Sequence, residues 1–157
     1  RHEIDDFFWK DFCDNYLEIV KERLYQPEKH GYKERRSAQY ALYYCMLNIL
    51  KLYAIYVPHI TEYIYQEFFR QNEGGISLHK LCWEPEKTVD DEIILFGEKL
   101  KGIIAETRKY KSENALSMKT EIEEIVITAD DRFIELFKQT INDVKACCRA
   151  EKIKIIQ

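Results

Sequence analysis

Five cysteines (Cys13, Cys45, Cys82, Cys147, Cys148) and four histidines (His2, His30, His59, His79) are the residues best suited to metal or nucleophile chemistry in this chain. Their spacing favours neither. No Cys-x-x-Cys and no His-x-x-x-His occurs. Cys147 and Cys148 are adjacent, and neighbours on a helix diverge by about 100°, poor geometry for a tetrahedral zinc clamp. Cys13 and Cys45 fall in apolar helical rows, where an inert buried thiol is the better reading than a nucleophile with a histidine base. The carboxylate pairs Asp5-Asp6, Asp90-Asp91 and Asp130-Asp131 sit at helix starts or on polar faces, and capping and solvation account for them. Gly74-Gly75 lacks the spacing and the lysine of a phosphate loop. These residues assemble no catalytic, cofactor or metal site.

The placement of basic and aromatic residues is more informative. Lys29-His30-Gly31-Tyr32-Lys33, followed by Arg35-Arg36, collects cations at one inter-helix connection. The span from Lys99 to Lys119 carries six cations against Glu106 and Glu113, a local surplus of +4 in a chain of net charge −4. Lys101, Arg108 and Lys111 recur at helical spacing, so they share one face beside the apolar row. Such a stripe can track phosphates. It can equally be a solvated helix face, and charge alone favours the latter.

The elements that must position these residues follow from length and periodicity. At 157 residues, 46% hydrophobic and 33% charged, the chain can build one compact core with a soluble surface. The acidic balance excludes a protein coated in positive charge, but one basic stripe is enough for an RNA partner. The longest apolar stretch, Tyr40 to Tyr56, is broken by Asn48 and Lys51, so no span crosses a membrane. Arg1 to Asp6 lacks the apolar run of a signal peptide. An odd cysteine count within apolar patterns fits a reduced, cytoplasmic protein.

Phe8, Phe12, Tyr16, Ile19, Val20 and Leu24 mark a helix over about 4–25, ended by Gln26-Pro27. A polar loop over 27–32 follows. The next helix, about 33–56, is apolar nearly all round from Tyr40, as for a central bundle helix. Pro58 opens a third helix to about Arg70, with Ile60, Ile64 and Phe68 inward. After Pro85 a fourth begins near Thr88, with Ile93, Phe96, Leu100, Ile103, Ile104 and Thr107 inward. Residues 121–128 and 152–156 then read as strands flanking a helix over 131–148. These form a β-α-β unit, parallel if the strands pair, with a right-handed crossover and too small to stand without the bundle. The fold class is mainly α: an antiparallel helical bundle over residues 1–115, then a small β-α-β appendage over 116–157.

One collinear set of segments resembles a known family. Phe8-Trp9-Lys10-Asp11-Phe12-Cys13-Asp14-Asn15-Tyr16, Arg23-Leu24-Tyr25, Ser37-Ala38-Gln39-Tyr40, Val57-Pro58-His59-Ile60-Thr61-Glu62, Ile76-Ser77-Leu78-His79 with Trp83, and Arg108-Lys109-Tyr110-Lys111-Ser112-Glu113 are similar to the anticodon-binding domain of valyl-tRNA synthetases, class I enzymes. Arg35 to Gln39 and Arg23 to Tyr25 also match a pattern shared with isoleucyl-tRNA synthetases. The His-x-Gly-His and Lys-Met-Ser-Lys-Ser signatures of the family's catalytic part are absent. So is the helix that precedes this region in the family.

The resemblance implies a non-catalytic piece of a longer, cytoplasmic valine–tRNA ligase that grips the anticodon arm of tRNA, next to catalytic and editing domains that would use ATP and Mg. It would be monomeric and would not touch membrane. Lys29, Lys33, Arg35, Arg36, Lys101, Arg108, Lys109 and Lys111 would then offer charge to phosphates. Tyr32 and Tyr110 would stack on bases or lie in the core, the core being favoured for Tyr110. Phe8, Trp9, Phe12, Tyr16 and Trp83 are expected to pack. The rival is a helical protein-interaction module.

Overall fold

A computed structural model describes residues 1–83 and 88–157; the expected break at Pro85 lies outside them. The first 25 residues form one continuous coil. It begins as α1 (His2–Asp6), widens into a π-wound stretch (Phe7–Tyr16) and tightens again as α2 (Leu17–Tyr25). The backbone stays right-handed helical at both junctions. Within the wide stretch Asn15 donates its amide to the carbonyl of Lys10, five residues back, at 2.6 Å. The rings of Phe8, Phe12 and Tyr16 lie nearly parallel at 6.4 and 6.2 Å. Phe8 meets the Tyr53 ring edge-on at 5.8 Å. The sequence period marked this helix but not its π winding, because a row repeating every four residues lies on one face of either coil.

Prolines set the next boundaries. Gln26 (φ −127°) and Val57 (φ −134°) each precede a proline and leave helical geometry. Pro27 opens a single turn, α3 (Pro27–His30), where a loop was expected; a proline at the first helical position lacks only an amide that had no partner. Gly31, at φ +104°, turns the chain into α4 (Tyr32–Tyr53).

α5 (Pro58–Phe68) and α6 (Arg70–Glu73) follow, closed by the left-handed Gly74. The inward row of α5 is Thr61, Tyr65 and Phe69, with Ile64 half-buried. It is not Ile60, Ile64 and Phe68; Ile60 and Phe68 face solvent. Hydroxyls tolerate this burial because each is satisfied. Tyr65 donates to the Gly75 carbonyl at 2.8 Å, and Thr61 to those of Val57 and Pro58.

α7 (Asp91–Glu113) starts two residues later than Thr88 would have it. Asp90 caps it, accepting from the amides of Glu92 and Ile93 at 3.0 and 3.1 Å. Its buried row is Phe96, Leu100, Ile104, Thr107 and Lys111, and Ile93 is exposed. β1 (Ile122–Thr128), α8 (Asp131–Cys148) and β2 (Ala150–Ile156) complete the chain, with the strands parallel and Ile125 opposite Ile153.

Two cores result. Leu47, Leu50 and Ala54 of α4 and its end pack with Tyr65, Phe69 and Leu78. Phe96, Leu100 and Ile104 of α7 pack with Ile127, Phe133, Phe137, Val144 and Cys148, so this core crosses the expected division at residue 115. No helix among the described residues is long and apolar enough to cross a membrane.

Candidate nucleic-acid interface

The outer face of α4 is built by a four-residue step. Tyr32, Arg36, Tyr40 and Tyr44 follow one another along it, since residues four apart on a helix are neighbours. Tyr32 and Tyr40 are 68% and 72% exposed. Tyr40 and Tyr44 lie nearly parallel, 19° apart with centroids at 6.4 Å. Lys33 and Arg36 are exposed and, among the described residues, neither has a carboxylate within ion-pair distance. Arg35 turns inward beside them; its Nε is buried with no hydrogen-bond partner among the described residues. Tyr40 and Tyr44 were missed in the sequence because their segment is apolar around the whole circumference. The repeat through Arg36 is the signal that picks them out.

The second basic segment is dispersed. Lys101 donates to Asp11 and pairs with Glu98, both at 2.6 Å, and these contacts raise its pKa. Lys109 lies 3.8 Å from Glu113. Lys111, expected on the phosphate face, is 2% exposed. Its ammonium donates to the carbonyls of Cys148 at 3.0 Å and Met118 at 3.2 Å, and burial lowers its pKa. Its position three residues beyond Arg108 allowed either face; the row through Ile104 and Thr107 carried it inward. Arg108 donates to the Asp14 carbonyl at 3.1 Å. Tyr110, for which the core was favoured, is 53% exposed. Trp9 and Trp83 are exposed as well, and Lys51 sits over the Trp83 ring at 5.5 Å.

Lys29 and Arg108 nevertheless share a cleft. Arg108 lines a cavity of about 540 Å³ between α2, α7 and the end of α8. Lys29 lines an adjoining cavity of about 400 Å³. Glu22, Ala146 and Arg149 belong to both walls. Of the carboxylates in the larger cavity, Glu18 holds Lys21 at 3.2 Å and Glu22 holds His30 at 3.0 Å.

The cysteines of these walls are poorly placed for covalent chemistry. Burial pushes the thiols of Cys13 and Cys45 upward and that of Cys147 to about 11, so each stays a protonated, poor nucleophile at neutral pH. A third cavity, about 530 Å³, is walled by Phe12, Tyr16, Ile19 and Leu100 and contains Cys45 without a histidine. Among the described residues, no three metal-ligating side chains converge.

Aromatic rings interleaved with unpaired cations on an exposed helix form a surface that suits a nucleic-acid strand. Comparison with known proteins points the same way. A family described as "Anticodon-binding domain of tRNA ligase" matches residues 1–127. The chain is 33% identical over 157 residues to the valine–tRNA ligase of Thermococcus kodakarensis, with 99% of this chain and 17% of that protein covered. It is 38% identical over 160 residues to the valine–tRNA ligase of Wolbachia pipientis wMel, with 98% and 17% covered. For the valine–tRNA ligase of Pyrococcus horikoshii the identity is 32%, with 99% and 17% covered. The chain thus spans about 17% of the length of these relatives.

Proposed function

The chain belongs to the family of tRNA-ligase anticodon-binding domains, and from that premise we propose that it holds the anticodon arm of a valine tRNA for a valine–tRNA ligase. The observation that carries this reading is the outer face of α4, where Tyr32, Arg36, Tyr40 and Tyr44 present rings and an unpaired guanidinium in one line. Lys33 and Arg36 supply charge on it, Lys29 supplies charge from the neighbouring cleft, and Arg35 turns inward behind them. Unstacked bases of a loop stack on such rings, and the cations meet the intervening phosphates. Arg108 and Lys109 add charge on α7. Lys101 and Lys111 act as internal struts.

Aminoacylation with ATP and Mg belongs, in this proposal, to other parts of a longer chain, together with editing. The working compartment is the cytoplasm and the unit is monomeric. Exposed Ile60, Tyr63 and Phe68 on α5 favour a second role, contact with a neighbouring protein domain. Isoleucine tRNA is the alternative cargo.

Binding of valine and isoleucine tRNA transcripts to the chain, measured across a salt series, tests the reading. We expect log affinity to fall linearly with log salt, with a slope of about −0.7 to −0.9 per phosphate contact, and tighter binding of the valine transcript. Affinity that ignores salt would leave the protein-contact role standing alone.

A further inference from the structure

We propose that the cleft between α2, the last turns of α7 and the α8–β2 junction is a phosphate-binding notch in which Arg149, Lys119 and Arg108 grip one RNA backbone phosphate. Five cations line this cavity: Lys21, Arg108, Lys111, Lys119 and Arg149. Three already have partners, Lys21 in Glu18, Lys111 in two carbonyls and Arg108, through one of its nitrogens, in the Asp14 carbonyl. Among the described residues the carboxylates on this wall are Glu18, paired with Lys21, and Glu22, hydrogen-bonded to His30; the adjoining half adds Glu121 and Glu151. Arg108, Lys119 and Arg149 are left with no carboxylate at ion-pair distance among the described residues. Three unmatched cations from three separate elements, converging on one concavity, are a focus of positive potential.

Backbone conformation gives a second reason. Arg149 ends α8 in the left-handed region, at φ +53° and ψ +49°, and the chain turns there into β2. Glycine is the residue that fits this conformation with least strain, although a cation at a helix C-terminus also interacts favourably with the helix dipole. The sequence places an arginine where the backbone favours glycine or asparagine, and that arginine lines both halves of the cleft. A guanidinium offers two parallel donors matched to phosphate oxygens. The cavity, about 540 Å³, leaves room for a sugar beside the phosphate, and Tyr25, 76% exposed, stands on its wall as a platform for a flanking base. None of these features involves the face of α4.

The notch rests on the RNA reading only for the source of its phosphate; a free phosphoryl group has the same chemistry. Two variants separate the cases. Lys119→Gln with Arg149→Asn removes both cations while asparagine tolerates the left-handed conformation. Arg36→Gln with Tyr40→Ala disables α4 instead. In a salt series with valine tRNA, the notch variant is expected to bind several-fold more weakly, with a slope shallower by about one per lost contact. If the α4 variant weakens binding while the notch variant matches the parent chain in affinity and slope, the notch is overturned and the RNA reading survives. If the parent chain holds no tRNA, the RNA reading fails, and titration with inorganic phosphate and adenosine monophosphate decides. Saturable amide shifts at Lys119 and Arg149, lost in the notch variant, would keep it as a site for free phosphates. Their absence would end it.

Discussion

Arg23 and Asp143, 120 residues apart, meet side by side: Nε of Arg23 donates to Oδ1 of Asp143 at 2.6 Å while Nη2 donates to Oδ2. Asp143 is 3% exposed and the Arg23 side chain 23% exposed, so this two-pronged pair fastens α2 to α8 with the carboxylate out of water. Removing one partner strands the other. Arg23→Ala is expected to lower stability by about 3–5 kcal/mol, the usual effect of leaving a buried charge unpaired. The double change Arg23→Met with Asp143→Leu should cost far less than Arg23→Ala. Urea unfolding of the three chains checks both statements.

Lys111 is a structural clasp rather than a phosphate contact. Lys111→Met leaves the carbonyls of Cys148 and Met118 without their donor and should cost about 1–3 kcal/mol. The slope of tRNA affinity against salt should not change. A shallower slope at unchanged stability would return Lys111 to the interface.

On α4, charge and stacking should separate. Lys33→Ala with Arg36→Ala is expected to flatten the salt slope by about 1.4–1.8, one phosphate each. Tyr40→Ala should instead weaken binding by about 1–3 kcal/mol and leave the slope alone. Because both rings and cations are exposed, thermal melting should barely move in either variant.

Alkaline pH should destabilise the fold through two tyrosines. Burial, reinforced by the hydrogen bond from Tyr43 to Glu73 at 2.8 Å and from Tyr53 to Asp5 at 2.7 Å, pushes both phenols up from 10.0 to about 12. Below pH 10 both folded and unfolded chains keep these protons. Between 10 and 12 the unfolded chain releases them first and the fold binds more protons, so stability falls as pH rises. Lys111 works the other way: its pKa lies below the ordinary 10.5, so it adds stability as pH climbs from that lowered value up to 10.5. The urea midpoint should therefore drop mainly above pH 10.5, and Tyr53→Phe should remove about half of the drop.

The bundle and the β-α-β unit were legible because proline, glycine and hydrophobic period act locally. Gln26-Pro27 and Val57-Pro58 ended helices in the sequence and in the structure alike. What period could not decide was rotation about the helix axis. On α5 a shift of one residue exchanged Ile60 and Phe68 for Thr61 and Phe69, since partners elsewhere in the chain satisfied the hydroxyls of Thr61 and Tyr65. The same ambiguity hid Lys111 inside and left Trp9, Trp83 and Tyr110 outside. The cations around Tyr32 and the run from Lys99 to Lys119, which holds Arg108, were visible as clusters; Arg149 was not, because nothing in linear order joins it to Arg108.

Among the described residues no third strand joins the parallel ribbon of β1 and β2, and each flank is a row of backbone groups onto which another strand could add. Its inner face is apolar, with Ile125 opposite Ile153 and Ile127 opposite Ile155, while the other face sets Glu124 against Lys152 and Val126 against Lys154. A copy sliding alongside out of step would place like charges next to each other. That alternation disfavours out-of-step sheet growth between molecules.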